Sequence, residues 1–536
     1  MKRAEGQISV FLALCGILIF ALICTCLESA RMSALEHLMH QAAGSSMQSV
    51  FAGYHRELAG GFGLLARDTG RSEAFVESTL KAYAGKYLYP DVAAGSLPEG
   101  TLQAELMTSV YLTDDAGYAF LDNVLAYMRT GGLFHVVDSA LQKMGLRGSS
   151  EASSVSDMLK GLLADRDLSP NVLTGQYGDV QREADKYWDE QEKSFYEAWE
   201  NSLAPEPAEP PEGGPTPPEG TAPGDDEAPP EPPEPPAFDR PAGKLEHSFI
   251  NRVRSILSQG LLRVFMNGRD ISQAVWPREN LPSVLPENIK RMGAGRSASN
   301  GSFDEKLFLT EYIMHYMGNC LSPSPLARKY EMEYILSGKE QESECLLEVA
   351  MELLLLRSGL NLMYLLTDAQ KLELTELTAL ATTSAFGVPF LTKPLQGLLL
   401  TAWSMAEGII DVRCLLEGKS IPLRKTTRTW QVQLSGSFLD ESYTGNAGLT
   451  YQDYLRLLFY MKPCEKILYR TMDVITLHVR LKDSTFRMEA CMTQASATLT
   501  AEFPFQYIAF PAFRRMVGGS GAGGKSICVR TAFGYR

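Results

Sequence analysis

The run Gln7–Leu27, QISVFLALCGILIFALICTCL, carries no charged residue over 21 positions. As a helix rising 1.5 Å per residue it reaches about 30 Å, the thickness of a bilayer hydrocarbon core. A water-soluble fold would have to cover such a rod on every side, whereas lipid solvates it directly. Lys2 and Arg3 precede the run, and Glu28 and Arg31 follow it. A short basic segment before a span favours a cytoplasmic N-terminus. The sequence therefore predicts a single-pass protein of the cell membrane, with residues 1–6 as a basic leader and the bulk of the chain extracytoplasmic. The exit of the run reads C-L-E-S-A-R-M-S-A, which lacks the A-x-A spacing of a cleaved secretory signal. The residues before Cys15, Cys24 and Cys26 are Leu14, Ile23 and Thr25, not the small residue a lipoprotein signal carries. The helix is expected to stay in the chain.

Beyond the span, Leu35, Met39, Ala42, Met47, Val50, Phe51, Tyr54 and Leu58 recur mostly at steps of three or four, one apolar stripe of a helix. Gly60 and Gly61 are expected to end that helix. The region 28–203 reads as mainly helical, with Glu73 to Tyr87, Gly117 to Met128 and Ala184 to Trp199 as the clearest segments. A Gly/Ser-rich turn is expected at Gly148 to Ser156, and a strand around Tyr111. From Ala204 to Ala242 the composition changes: 15 of the chain's 29 prolines fall here, with ten acidic residues and one basic. Such a stretch has too little apolar surface to offset ordering entropy, so a disordered spacer is predicted over 204–242.

Residues 243–536 read as a helix-rich α+β domain. His247 to Met266, Phe303 to Met317, Glu340 to Leu366, Pro394 to Leu416, Leu449 to Tyr460 and Cys464 to Val479 carry helical patterning. Glu348, Glu352 and Arg357 interrupt the most apolar of these, which favours a buried helix over a second span. Trp430 to Leu434, Thr485 to Cys491, Ala495 to Glu502 and Ser526 to Phe533 alternate as strands. The predicted fold class is α+β, mainly helical: an N-terminal transmembrane helix continues into a long helix, and a small antiparallel sheet closes a C-terminal helical domain.

The net charge of −14 disfavours nucleic acid as a partner, and much of it is concentrated in the spacer. Six cysteines beyond the span stand singly, without zinc spacing, and read as small buried hydrophobes. The seven histidines form no ligand motif, and Glu348 with Glu352 reads as face charge. Gly519 to Ser526 satisfies the phosphate-loop pattern G-x-x-x-x-G-K-[ST], which requires a helix after the lysine. The residues that follow, ICVRTAFGYR, alternate as a strand, so a glycine-rich hairpin is expected and nucleotide binding is not. No catalytic, cofactor-binding or metal residues are assigned.

The leader M-K-R-A-E-G ends in Gly6 directly before the apolar helix, and the stretch Gly6 to Leu14, GQISVFLAL, resembles the start of TadE- and TadG-like pseudopilins. In those, a peptidase cuts after the glycine, which here implies processing between Gly6 and Gln7. They usually carry a glutamate five residues after that glycine, where this chain has Phe11. The segments YEMEYILSGK (Tyr330 to Lys339), LLLLRSGLNLMYLLTD (Leu353 to Asp368), AWSMAEGIIDVRCLLEGKSIPL (Ala402 to Leu423) and YQDYLRLLF (Tyr451 to Phe459) resemble an uncharacterised bacterial family associated with Tad/Flp pilus loci of Gram-positive bacteria. SVFAGYHRELAGGFGLLARD (Ser49 to Asp68) matches in style. The resemblance implies a non-enzymatic pseudopilin-like component of a pilus or secretion machine, whose partners are the bilayer and other envelope proteins met through the N-terminal helix. An envelope scaffold without a pilus link, or an extracytoplasmic enzyme without a recognisable motif, are the alternative readings.

Overall fold

The computed structural model describes residues 2–89, 102–130, 134–146, 148–164, 169–203, 233–290, 302–324, 328–435, 448–507 and 524–535. In chain order the main elements are α1 (Lys2–Phe51), α2 (Arg56–Phe62), β1 (Arg67–Asp68), α3 (Glu73–Leu88), β2 (Leu102–Tyr111), α4 (Tyr118–Thr130), α5 (Phe134–Lys143), α6 (Ser149–Ala164), α7 (Pro170–Leu203), α8 (Ser248–Ser258) and α9 (Leu261–Met266). They continue with α10 (Glu287–Lys290), α11 (Phe303–Tyr316), α12 (Glu331–Ser337), α13 (Glu342–Thr367), α14 (Ala369–Ala385), α15 (Thr392–Leu416), α16 (Tyr451–Met461), α17 (Cys464–Arg480), β3 (Cys491–Pro504) and β4 (Gly524–Gly534). The fold is α+β and mainly helical, as the patterning predicts. It separates into two compact units, one of Met1–Asp157, Ser272–Val349 and Gln452–Arg536, the other of Met158–Ile271 and Ala350–Tyr451.

The first unit is built on an antiparallel sheet centred on β3. β2 pairs along one edge from Leu102↔Ala501 to Tyr111↔Met492, and β4 along the other from Gln494↔Gly534 to Pro504↔Gly524, with β1 at Met492 and Cys491. Alternation along β3 puts Ala495, Ala497, Leu499, Ala501 and Phe503 on one buried face. The small alanines admit the close approach of α1, whose Met39, Ala42, Ala43, Met47, Val50 and Phe51 fill the same core with Val76 and Leu80 of α3. Truncating a fully buried methionine such as Met47 in a core of this kind costs about 2–5 kcal/mol.

The apolar stripe after the span is therefore real, but its helix stops at Phe51 rather than at Gly60 and Gly61. Arg67 donates through Nη1 to the carbonyl of Val50, and its guanidinium occupies the space a side chain at Gly53 would need. His55 then caps α2 by accepting from Leu58 N at 3.3 Å, and Gly63, at φ +68°, closes that helix where the Tyr127 ring leaves no room for a Cβ. Gly60 and Gly61 lie inside α2.

In the second unit α15 is the central helix, buried from Leu395 to Leu416 and packed by α7, α8, α9 and α14. Trp188 of α7 donates to the carbonyl of Phe386 at 3.2 Å. Most of the proline-rich spacer lies outside the described residues. Its last part does not: Phe238 packs on Phe195 and Trp188, and Arg240 bonds Asp189 at 2.7 Å.

Four further local expectations are corrected. His247 to Met266 breaks into α8 and α9 at Gly260, which sits at φ +91°. The Gly148 to Ser156 turn is instead the start of α6, which begins at Ser149. Trp430 to Leu434 is not a strand, because the N–H groups of Gln431 and Val432 donate to the Glu407 carboxylate and not to a neighbouring strand. Thr485 to Ala490 ends in a single 3-10 turn, and the strand starts at Cys491.

Candidate membrane anchor and buried charge centres

The helix α1 runs unbroken through the leader, the uncharged run and the stalk, 50 residues in all. Gly6 and Gln7 lie in its first turns. From Ile8 to Leu27 no side chain is buried, and Phe11, Leu18 and Leu22 are each more than 60% exposed. An apolar surface of this extent, all round a helix, is not tolerated by water and matches the length of a bilayer core. Inside the span the Thr25 hydroxyl donates back to the carbonyl of Leu22 at 2.8 Å, as a helix in lipid requires.

Burial begins at the next residue. Glu28 is 2% exposed. Its Oε2 accepts from the N–H groups of Tyr507 at 2.7 Å and Gln506 at 3.1 Å, and its Oε1 accepts from Arg31 Nη2 at 2.5 Å and Nε at 3.0 Å. Arg31 Nη2 also donates to the carbonyl of Pro504 at 2.5 Å. Burial works to raise the Glu28 pKa, but the guanidinium and the two N–H groups outweigh it and hold the carboxyl below its ordinary value. This clamp fastens the end of β3 to the first turn after the span.

The contacts then run along both elements in step. Lys525 reaches Glu36 at 3.6 Å, and at the far end Phe51 packs on Phe533 and Tyr535, ring centroids 4.9 and 5.3 Å away. From Glu28 to Phe51 the helix rises about 34 Å, close to the length of the eleven-residue β4. The lysine and serine of the phosphate-loop pattern, Lys525 and Ser526, lie in β4, where a phosphate loop requires a helix N-terminus. Residues 519–523 of that pattern lie outside the described residues.

Two buried charge centres were not legible as sites. In the second unit, α13 and α15 face each other through Arg357 and Asp411, which are fully buried and 2.9 Å apart. Lys425 bridges Glu407 at 2.5 Å and Asp411 at 2.6 Å, Asn361 donates to Asp411 at 3.1 Å, and Arg357 donates to the carbonyls of Pro422 and Leu423 at 3.1 Å. Burial and the neighbouring Asp411 raise the Glu407 pKa. Burial would raise that of Asp411 too, but Arg357 and Lys425 more than offset it and leave it low. Two cations meet two anions, and both carboxylates are occupied by donors. The arrangement suits fixing the 421–432 loop on two helices, not proton transfer.

In the first unit, Glu331, Glu333 and Glu342 are buried and accept from backbone N–H groups of one loop: Gly318 at 2.7 Å, Cys320 at 3.0 Å and Lys329 at 3.1 Å. His478 bonds Glu331 at 2.9 Å. Histidines serve in local roles: His478 and His55 face carboxylates, and His55 and His247 cap helices. Among the described residues, no group of three or more His, Cys, Asp or Glu side chains is placed to hold a metal ion.

Fold and anchor together define an α+β, mainly helical protein carrying an N-terminal helix long and apolar enough to span a membrane. Residues 241–503 match a family of unknown function, DUF5702. That stretch holds both charge centres and ends inside β3, one residue before the clamp carbonyl of Pro504. No curated protein and no solved structure matches the chain.

Proposed function

We propose that this chain is a membrane-anchored, extracytoplasmic structural or assembly protein, a pseudopilin-like component of a Tad/Flp-type pilus or secretion system. The observation that supports it best is the continuity of α1: the helix bare to lipid from Ile8 to Leu27 becomes, without a break, the helix that the sheet grips from Glu28 to Phe51. A span joined this way transmits position and force to its domain as a rod, which suits a part that assembles by lateral association of helices. Lys2 and Arg3 favour a cytoplasmic N-terminus, so the domain would face outward. The leader ending in Gly6, which is similar to that of pseudopilins, adds the pilus link.

The experiment is the mature N-terminus in the native host, read by mass spectrometry, with crosslinking of the membrane fraction. A chain starting at Gln7 and crosslinked to pilus proteins supports the proposal. A retained Met1 with no pilus protein recovered overturns the pilus link and leaves the second reading, an envelope scaffold. Phe11, in place of the glutamate usual in pseudopilins, favours that second reading.

A further inference from the structure

The clamp fixes the height of the sheet above the bilayer, and this has a chemical consequence at the sheet's lower end. Glu28 follows the last residue of the apolar run directly. The residues bonded to it, Gln506 and Tyr507, therefore lie at the level where the helix leaves the hydrocarbon. Pro504, whose carbonyl accepts from Arg31, pairs with Gly524, so the β3–β4 pair ends about one helical turn above that level. Phe505 turns inward to the core, while Tyr507 is 45% exposed with nothing polar required to cover its ring. Arg31 pairs with Glu28, the residue that accepts the Tyr507 N–H; Lys525 pairs with Glu36, about two helical turns further along α1, and Glu502 lies opposite Ser526. An exposed tyrosine that shares a carboxylate with an arginine at the exit of the apolar run is in keeping with the membrane–water interface, where an amphipathic ring and a cation each keep one end wet.

We propose that the β3–β4 end of the sheet is a second, peripheral bilayer contact, with the Tyr507 ring seated among phospholipid head groups beside the emerging helix. The inference rests on the reading of α1 as a membrane span. It adds that the first unit does not swing freely on a tether but stands on the bilayer at two points, the helix and the sheet end.

The test places a single fluorescent amino acid at position 507, 526 or 532 of the full-length chain in phosphatidylcholine vesicles. A fraction of the lipid carries a nitroxide on its head group. Position 532 is exposed and lies about 27 Å along β4 from Gly524. With the chain floating together with the vesicles, quenching is expected to be several-fold stronger at 507 than at 532, with 526 between them. Equal, weak quenching at all three positions in chains that still float overturns the sheet contact and leaves the anchor standing. Chains that fail to float overturn both.

Discussion

Arg31 donates to the carbonyl oxygen of Pro504 across 473 positions of sequence, at 2.5 Å, while holding Glu28 one helical turn away. The pair converts the exit of a membrane helix into a fixed joint. Replacing Glu28 by Ala leaves the N–H groups of Gln506 and Tyr507 and the guanidinium without their acceptor. The expected cost is about 1–3 kcal/mol, with a smaller loss for Glu28→Gln, read as the urea midpoint of the detergent-solubilised chain. Because the folded pKa of Glu28 is depressed, its contribution is present above the unfolded value and is lost as pH falls through the folded one. The gap between wild type and Glu28→Gln should therefore close on acidification.

Asp114 gives the opposite sign. It accepts from Tyr111 N at 2.9 Å and pairs with Arg71 at 2.8 Å, yet burial pushes its pKa up to about 6. A carboxyl raised on folding contributes most below its unfolded pKa and loses that contribution as pH rises through the folded one. Wild type should lose stability relative to Asp114→Asn between the ordinary aspartate pKa of about 3.9 and pH about 6, followed by thermal unfolding across that window. A flat difference would contradict the assignment.

Arg357→Met strips Asp411 of one of its two cations inside a fully buried site. The expected loss is about 3–5 kcal/mol. Arg357→Met combined with Asp411→Leu should cost less than the sum of the two single changes, with a coupling of about 0.5–3 kcal/mol in a double-mutant cycle. Additive costs would mean that the two side chains do not meet.

Leu18→Arg places a charge at the centre of the span. The expected penalty for insertion is about 2.5–3.5 kcal/mol, measured as the membrane-bound fraction in a cell-free insertion assay. The same change on the exposed outer face of β4, at Ala532, should leave insertion unaltered.

Legibility in the sequence followed the range of the interactions involved. The span, the stripe from Met39 to Phe51, and helices such as α3, α11, α15 and α17 are written in local periodicity, and so are the alternating β3 and β4. The recruitment of β2 to β3, joining Leu102 to Ala501, has no local signal, because strand pairing depends on which apolar faces meet in space. The stop at Phe51 depends on Arg67, and the non-strand at Trp430 to Leu434 on Glu407, both partners remote from the residues whose pattern was read. The clamp was hidden for the same reason. Glu28 and Arg31 read as ordinary flanking charges of a span until Pro504, Gln506 and Tyr507 are brought beside them. Of the charge centre, Arg357, Glu407 and Asp411 were visible only as polar interruptions in apolar helices, which mark burial with a partner but do not say which, and Lys425 in its loop carried no signal.

The central claim is that α1 seats the chain in a bilayer, and the most direct test is extraction of native-host membranes with alkaline carbonate. An integral single-pass protein stays in the pellet and is released only by detergent, and that is the result expected here. Recovery of the full-length chain in the soluble fraction, before or after the wash, would contradict it.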